Sequence, residues 1–283
     1  MTAAPTRGPR HRTVVDDQGK ALALGDVTRV VSLVPSLTEA IAVTAPGLLV
    51  GATDWCTHPA GLDVARIRGT KNPDTARIAS LRPDLVVANE EENRSVDLAA
   101  LREAGLAVWV TEVRTLDQAF RSLERLLTIA CGLPRPHWLD QARDAWAATP
   151  APGEPGEPGE PGEPRESGES GQQLRAIVPI WRRPWMVLGR DTFAGDLLRR
   201  LGVVQLYADH AERYPAVPLE ELRARDADLV VLPDEPYRFT SDDGPEAFPG
   251  IPAALVSGRH LTWYGPSLYE APVLLAEQLR IAR

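Results

Sequence analysis

The side chains of this chain that could do chemistry are few and scattered. His11, His58, His137, His210 and His260 stand apart, and none shares helical i, i+4 spacing with a second His or a Cys, which leaves a zinc site without a framework. The phosphate-binding loop, the dinucleotide Gly-x-Gly-x-x-Gly, the Gly-x-Ser-x-Gly elbow and His-Glu-x-x-His are all missing. No catalytic residue, metal site or intrinsic cofactor is therefore expected, and the reading is a non-enzymatic one. Cys56 and Cys131 are too few for a disulfide framework; they read as free thiols, with pairing left open. Cys56 and His58 supply half of a soft-metal site.

Binding chemistry is better represented. The run Val30-Val-Ser-Leu-Val-Pro-Ser-Leu-Thr-Glu39 passes from strand to helix, with Pro35 at the turn and Ser36 and Glu39 at capping-box spacing. It aims a helix N-terminus at a strand end, where a polar or anionic ligand group is favoured. Trp supplies seven of the aromatic residues, and several fall in loops: Trp55, the pair Trp181 and Trp185, and Trp263-Tyr264. Large flat side chains in polar loops are candidate ligand platforms. Trp109, Trp138 and Trp146 fit strand or helix faces and read as packing. The acidic loop Asn89-Glu90-Glu91-Glu92-Asn93 follows an apolar run and reads either as cation-ligating oxygens or as a solvated charge run.

The elements that must position these residues alternate. Strands are predicted at Val30–Val34, Leu48–Gly51, Leu85–Ala88 and Ala107–Val110, with helices near 36–45, 74–81 and 95–104. A longer helix starts at Thr115 and carries an apolar stripe from Leu116 to Ala130, stopping near Gly132 and Pro134; another runs from about Pro136 to Ala148. Further on, strands at Leu174–Val178, Met186–Leu188, Leu229–Leu232 and Ala253–Val256 alternate with helices near 192–201, 218–225 and 267–280. The pattern predicts two α/β lobes, each a mainly parallel sheet with flanking helices, joined by a single long linking helix. A faint internal echo supports two halves, because Asp84-Leu-Val-Val recurs as Asp228-Leu-Val-Val at an offset of 144.

Residues 150–171 repeat Gly-Glu-Pro and hold six Glu and one Arg, so they carry −5 of the formal −8 and leave the rest nearly neutral. Such a tract reads as an extended linker. No clustered Lys/Arg face is visible, which argues against nucleic acid as a partner. No apolar stretch reaches the ~18 residues of a spanning helix, so an integral membrane protein is not expected. The first residues carry neither a secretory signal nor a lipoprotein cysteine, so the sequence as it stands predicts a cytoplasmic protein.

Taken in order, Arg29-Val-Val-Ser-Leu-Val-Pro-Ser-Leu-Thr-Glu39, Val50-Gly-Ala-Thr-Asp-Trp-Cys-Thr-His-Pro59, Gly69-Thr-Lys-Asn-Pro73, Leu81-Arg-Pro-Asp-Leu-Val-Val-Ala88 and Trp263-Tyr-Gly-Pro266 resemble the substrate-binding proteins of cobalamin and iron-chelate ABC importers. The resemblance covers about residues 12–148 and 172–283. It implies an N-terminal extension over 1–27, an N-terminal lobe over 28–132, an inter-lobe helix over 133–149, a linker insertion over 150–171 and a C-terminal lobe over 172–283. Ligand would be held between the lobes. Pro35, Ser36, Trp55, Asn89, Glu90 and Glu91 would line that cleft from one side, and Trp181, Arg182, Trp185, Trp263 and Tyr264 from the other. Stacked aromatics suit a corrinoid such as cobalamin, whereas Arg182 and Arg183 suit anionic iron-siderophore or haem groups. A corrinoid-processing accessory enzyme using the Asn89–Glu92 carboxylates is a further alternative.

The family resemblance also implies docking to an ABC permease through one Glu on each lobe. Glu220 stands at that position in the second half, but Ala76 stands at its counterpart, with Asp74 as a neighbouring substitute. The resemblance further implies an extracytoplasmic setting, should the start be misplaced.

Overall fold

The computed structural model describes residues 12–149 and 173–281, with Ile281 by its backbone alone. The Gly-Glu-Pro tract lies outside the described residues. Those residues fall into two compact units. One takes the chain up to Val113 together with Asp117–Leu139 and Tyr264–Pro266; the other takes Arg114–Leu116, Asp140–Trp263 and the chain from Ser267 onward.

The first unit opens with a hairpin, β1 (Arg12–Val15) and β2 (Ala21–Leu24), which the sequence patterns had not announced. There follow β3 (Val30–Ser32), α1 (Pro35–Thr44), β4 (Leu49–Ala52), β5 (Ala65–Arg66), a short antiparallel hairpin of β6 (Arg68–Gly69) and β7 (Asn72–Pro73), and α2 (Thr75–Ser80). Then come β8 (Leu85–Asn89), α3 (Ser95–Glu103), β9 (Val108–Thr111) and α4 (Leu116–Glu124). The sheet has the order β5-β4-β3-β8-β9, and every pairing in it is parallel. Every residue of β8 is buried, as a parallel strand covered on both faces requires, and this is why Leu-Val-Val-Ala reads as an unbroken apolar run.

The long helix expected from Leu116 to Ala130 is present, but Arg125–Ala130 is wound as a π-helix, with Cys131 N–H donating to the Leu126 carbonyl. It stops at Gly132, whose φ of 69° is the left-handed conformation that glycine adopts without cost. The next helix, α5 (His137–Ala147), carries the chain from the first unit into the second.

In the second unit β10 (Leu174–Ile177) leads into a hairpin of β11 (Pro179–Trp181) and β12 (Met186–Val187). The predicted strand at 186–188 therefore pairs antiparallel with β11 rather than joining the parallel sheet. The chain continues through α6 (Phe193–Arg200), β13 (Val203–Gln205), α7 (Leu219–Arg223), β14 (Leu229–Pro233), β15 (Ala253–Val256), α8 (Gly258–Thr262) and α9 (Ala271–Ile281). A 3₁₀ turn over Pro266–Tyr269 precedes α9, dividing the helix expected at 267–280. The sheet order is β13-β10-β14-β15, again parallel throughout.

The internal echo has a physical counterpart. α2 and β8 correspond to α7 and β14 at the same offset. In the first unit Asp84 Oδ2 accepts from Thr28 N–H at 2.8 Å and Arg29 N–H at 2.9 Å, and in the second Asp228 Oδ2 accepts from Arg175 N–H at 2.7 Å. Each aspartate thus pins the neighbouring strand as its own begins. Among the described residues no helix is long and apolar enough to cross a membrane.

Asp196, in the first turn of α6, is a second anchor. It is buried, and its carboxylate accepts from Leu116 N–H at 3.0 Å and Arg200 Nε at 3.0 Å and pairs with Arg199. Burial pushes its pKa up, but these donors outweigh burial and hold it below the ordinary 3.8. The ionised form therefore stabilises the fold above that value, and the contribution is lost as pH falls through the depressed one. Asp196→Asn should cost about 1–3 kcal/mol at neutral pH. Urea unfolding of both proteins should show that gap closing in acid, while a gap unchanged down to about pH 2 would remove the carboxylate from this role.

Candidate functional site

In parallel α/β sheets the ligand-facing loops leave the carboxyl ends of the strands; Pro35 and Ser36 follow β3, Trp55 follows β4 and Asn89 ends β8. In the first unit the edge is organised by two buried asparagines at the end of β8. Asn89 Oδ1 accepts from Glu91 N–H at 2.8 Å and Glu92 N–H at 3.1 Å, and its Nδ2 donates to Thr111 O at 3.1 Å and Tyr264 OH at 2.7 Å. Asn93 Oδ1 accepts from Asn89 N–H at 3.0 Å, and its Nδ2 donates to Thr70 O at 3.0 Å. Asn89 was expected to line a ligand site. It is instead buried with its amide committed, and it shapes the loop that presents half-buried Glu90 and Glu91.

Tyr264 is equally committed, with its hydroxyl 2.9 Å from Thr111 Oγ1. Burial pushes its phenol above the ordinary value, so it stays protonated. Ser36 also departs from expectation. Proline has no N–H and a preset φ, so Pro35 takes the first helical position. That makes Val34 the N-cap, without a side-chain hydrogen bond, and draws Ser36 into the first turn. There Ser36 is buried, and a Cβ on Gly265 would lie 3.1 Å from its carbonyl oxygen. The capping box is not formed.

Trp55 is the loop tryptophan of the first unit. It is 66% exposed, and its indole lies along Gly69 of the β6–β7 hairpin, where a Cβ would meet Nε1 at 3.2 Å. The same hairpin is tied to the acidic loop, because Thr70 O accepts from Asn93 and Lys71 Nζ donates to Glu91 O. Gly69-Thr-Lys-Asn-Pro73 entered the sequence reading only through the family resemblance, and the hairpin it forms was not foreseen.

In the second unit the three predicted tryptophans have different fates. Trp181 is 43% exposed and meets Tyr237 edge to face, with ring centroids 5.7 Å apart. Trp185 is instead half-buried, stacked on Phe239 at 6.0 Å and edge-on to Phe248 at 5.4 Å in the apolar core. Trp263 is buried, with Nε1 donating to Glu235 Oε2 at 2.9 Å. Arg182 is not free to meet an anion. Its guanidinium lies 5.1 Å over the Trp185 ring, pairs with Asp243, and reaches Glu246 at 2.6 Å. Burial acts to raise the Glu246 carboxyl, but the Gly244 N–H and Arg182 outweigh it and hold it below the usual range. Tyr237 OH donates to Asp243 Oδ2 at 2.6 Å, so Arg182, Asp243 and Tyr237 form a brace behind Trp181. Arg183 remains exposed.

Both cysteines are free and buried. Cys56 Sγ sits 3.0 Å from Thr38 Oγ1 and 3.1 Å from Thr53 Oγ1, and burial pushes its thiol up, which opposes a metal-binding thiolate. Among the described residues no group of three or more His, Cys, Asp or Glu could hold a metal ion. Ser257 Oγ lies 2.8 Å from His260 Nδ1, and His260 Nε2 lies 3.3 Å from Glu270, but the adjacent Gly258 N–H is spent on Asp234 at 2.6 Å.

Two units of this kind, each built on a parallel sheet, define a two-unit α/β architecture. No protein-family model matches the chain. A vitamin B12-binding protein of Vibrio cholerae is 23% identical over 207 residues, covering 71% of this chain and 69% of that protein. The solved periplasmic vitamin B12 binding protein of Vibrio cholerae has a TM-score of 0.68 at 19% identity, over 91% of this chain and 98% of that one. A periplasmic heme-binding protein in complex with two hemes also has a TM-score of 0.68, at 20% identity, over 90% and 98%. The fold is that of these solved periplasmic binding proteins, and the chain is similar in sequence to the vitamin B12-binding protein.

Gly69→Val should crowd Asn72 Oδ1, which would lie 2.6 Å from the added Cβ, and press on the Trp55 indole at 3.2 Å, shifting the tryptophan emission to the red. The shift should vanish in a Trp55→Phe background. Persistence there would show that Gly69 supports some other ring.

Proposed function

We propose that this chain is a non-enzymatic substrate-binding protein for a corrinoid or a related flat metal chelate, and that the aromatic edge of each unit contributes to binding. The observation that carries this reading is the pair of exposed indoles. Of seven Trp, only Trp55 and Trp181 are exposed among the described residues; Trp55 follows β4 beside the β6–β7 hairpin, and Trp181 ends β11 against Tyr237. Leaving a rigid indole in water forgoes about 1.5–3 kcal/mol of burial, which a flat ligand restores. The pairing of Arg182 with two carboxylates favours a cobalamin-like ligand over a strongly anionic siderophore or haem, with Arg183 the guanidinium left to meet a phosphate or carboxylate.

Service to an ABC permease is part of this reading. Glu220 is exposed in the first turn of α7, available for docking. At the matching position Ala76 offers no charge, and Asp74 is a poor substitute because it caps α2 by accepting from Arg77 N–H and lies 3.8 Å from Arg68. A permease contact through the second unit alone is the expectation that follows. The relatives named as periplasmic support an extracytoplasmic setting.

Visible absorbance and tryptophan quenching with cyanocobalamin, haemin and a ferric catecholate test the ligand class. Cyanocobalamin should bind, and Trp55→Ala and Trp181→Ala should each weaken it about tenfold without lowering the thermal midpoint. Binding of none of the three chelates, or unchanged affinity in both variants, would sink the reading.

A further inference from the structure

The second unit carries a groove that takes no part in the ligand reading. Asp144 and Ala145 line it from α5, and Glu270, Val273, Leu274 and Glu277 line it from the start and first turns of α9. The α9 residues follow i, i+3, i+4, i+7 spacing, which puts them on one helical face. The groove encloses about 660 Å³. Its apolar part is open to water, with Val273 74% exposed and neighbouring Tyr269 50% exposed. Exposed apolar side chains gathered in a trough between two helices are the geometry that accepts a third helix.

Charge selects the occupant. Three carboxylates rim the groove and no Lys or Arg lines it; Glu270 also stands 3.3 Å from His260 Nε2. The chain carries a formal −8, and its basic stretches, such as Arg7, Arg10 and Arg12 broken by Gly8 and Pro9, are short, so a second copy offers no long basic amphipathic segment. The Gly-Glu-Pro tract, which starts just after α5, brings six more carboxylates and would be repelled. Nucleic acids and anionic lipid surfaces are repelled for the same reason. We propose that this groove docks a basic amphipathic helix of a partner protein, with apolar side chains against Val273, Leu274 and Tyr269 and Lys or Arg against Asp144, Glu270 and Glu277.

The test uses the full chain and a fluorescently labelled leucine–lysine peptide of helical period, beside a scrambled peptide of the same composition. Val273→Glu removes an apolar contact while adding negative charge at an exposed position, and Tyr269→Asp does the same nearby; thermal midpoints confirm that both variants fold. Docking in the groove predicts that each variant, and the scrambled peptide, binds about tenfold more weakly. Glu277→Gln should weaken binding a few-fold at low salt, an effect that fades as ionic strength rises. Diffuse attraction to an acidic protein predicts equal or tighter binding by Val273→Glu, and that result overturns the proposal. So does equal binding of the scrambled peptide, loss of binding when only the six Glu of residues 150–171 become Gln, or no binding by the unmodified chain.

Discussion

Parallel strands buried on both faces end abruptly, and the peptide groups set free at their carboxyl ends must find partners or be left unsatisfied in the interior. Much else in this protein follows from that requirement. At the end of β8 the partners are the amides of Asn89 and Asn93, which between them hold the acidic loop, the β6–β7 hairpin and Tyr264. At the end of β14 the Asp234 carboxylate takes the Gly258 N–H and the Glu235 carboxylate takes the Trp263 indole. Polar side chains at these edges are thus spent first on closing the fold. The side chains left exposed near these edges include Trp55, Trp181 and Arg183.

This explains which parts were legible in the sequence. Buried strands such as Leu-Val-Val-Ala and Leu-Val-Val-Leu announce themselves by composition, and the Asp that precedes each one marks where it begins. The hairpin over residues 12–24 was silent because Arg-Thr-Val-Val and Ala-Leu-Ala-Leu are too short to show a decisive period. β13 was silent for the same reason. Ser36 misled because Pro35 competes for the same helix start, and the proline, having no N–H to satisfy, wins. Trp109, Trp138 and Trp146 were legible as packing from strand and helix faces, but the loop tryptophans could not be sorted from local sequence. Trp181 and Trp185 are four residues apart, and their fates are decided by Tyr237, Phe239 and Phe248, more than fifty residues away.

The same separation recast Arg182. In sequence it stood beside two tryptophans as a free cation, whereas in the fold its charge is met by carboxylates from the loop that supplies the aromatic partners. A guanidinium held in this way fixes the geometry of its neighbours more than it attracts a ligand, because Arg presents several donors in a rigid plane. The brace and the platform it supports are therefore one structural unit, assembled from two distant stretches of chain.

The N-terminal hairpin has a role beyond its few residues. β9 ends its sheet and pairs on one side only, with β8. Its free side is answered by the hairpin turn: Asp17 N–H donates to Val110 O at 3.2 Å, Asp16 Oδ2 accepts from Val110 N–H at 3.3 Å, and Asp17 Oδ2 accepts from Glu112 N–H at 3.3 Å. Two consecutive carboxylates thereby occupy a border that would otherwise invite a strand from another molecule. Trimming these residues as a dispensable leader would expose an adhesive rim, and the shortened protein would be prone to aggregate even with its aromatic platforms intact.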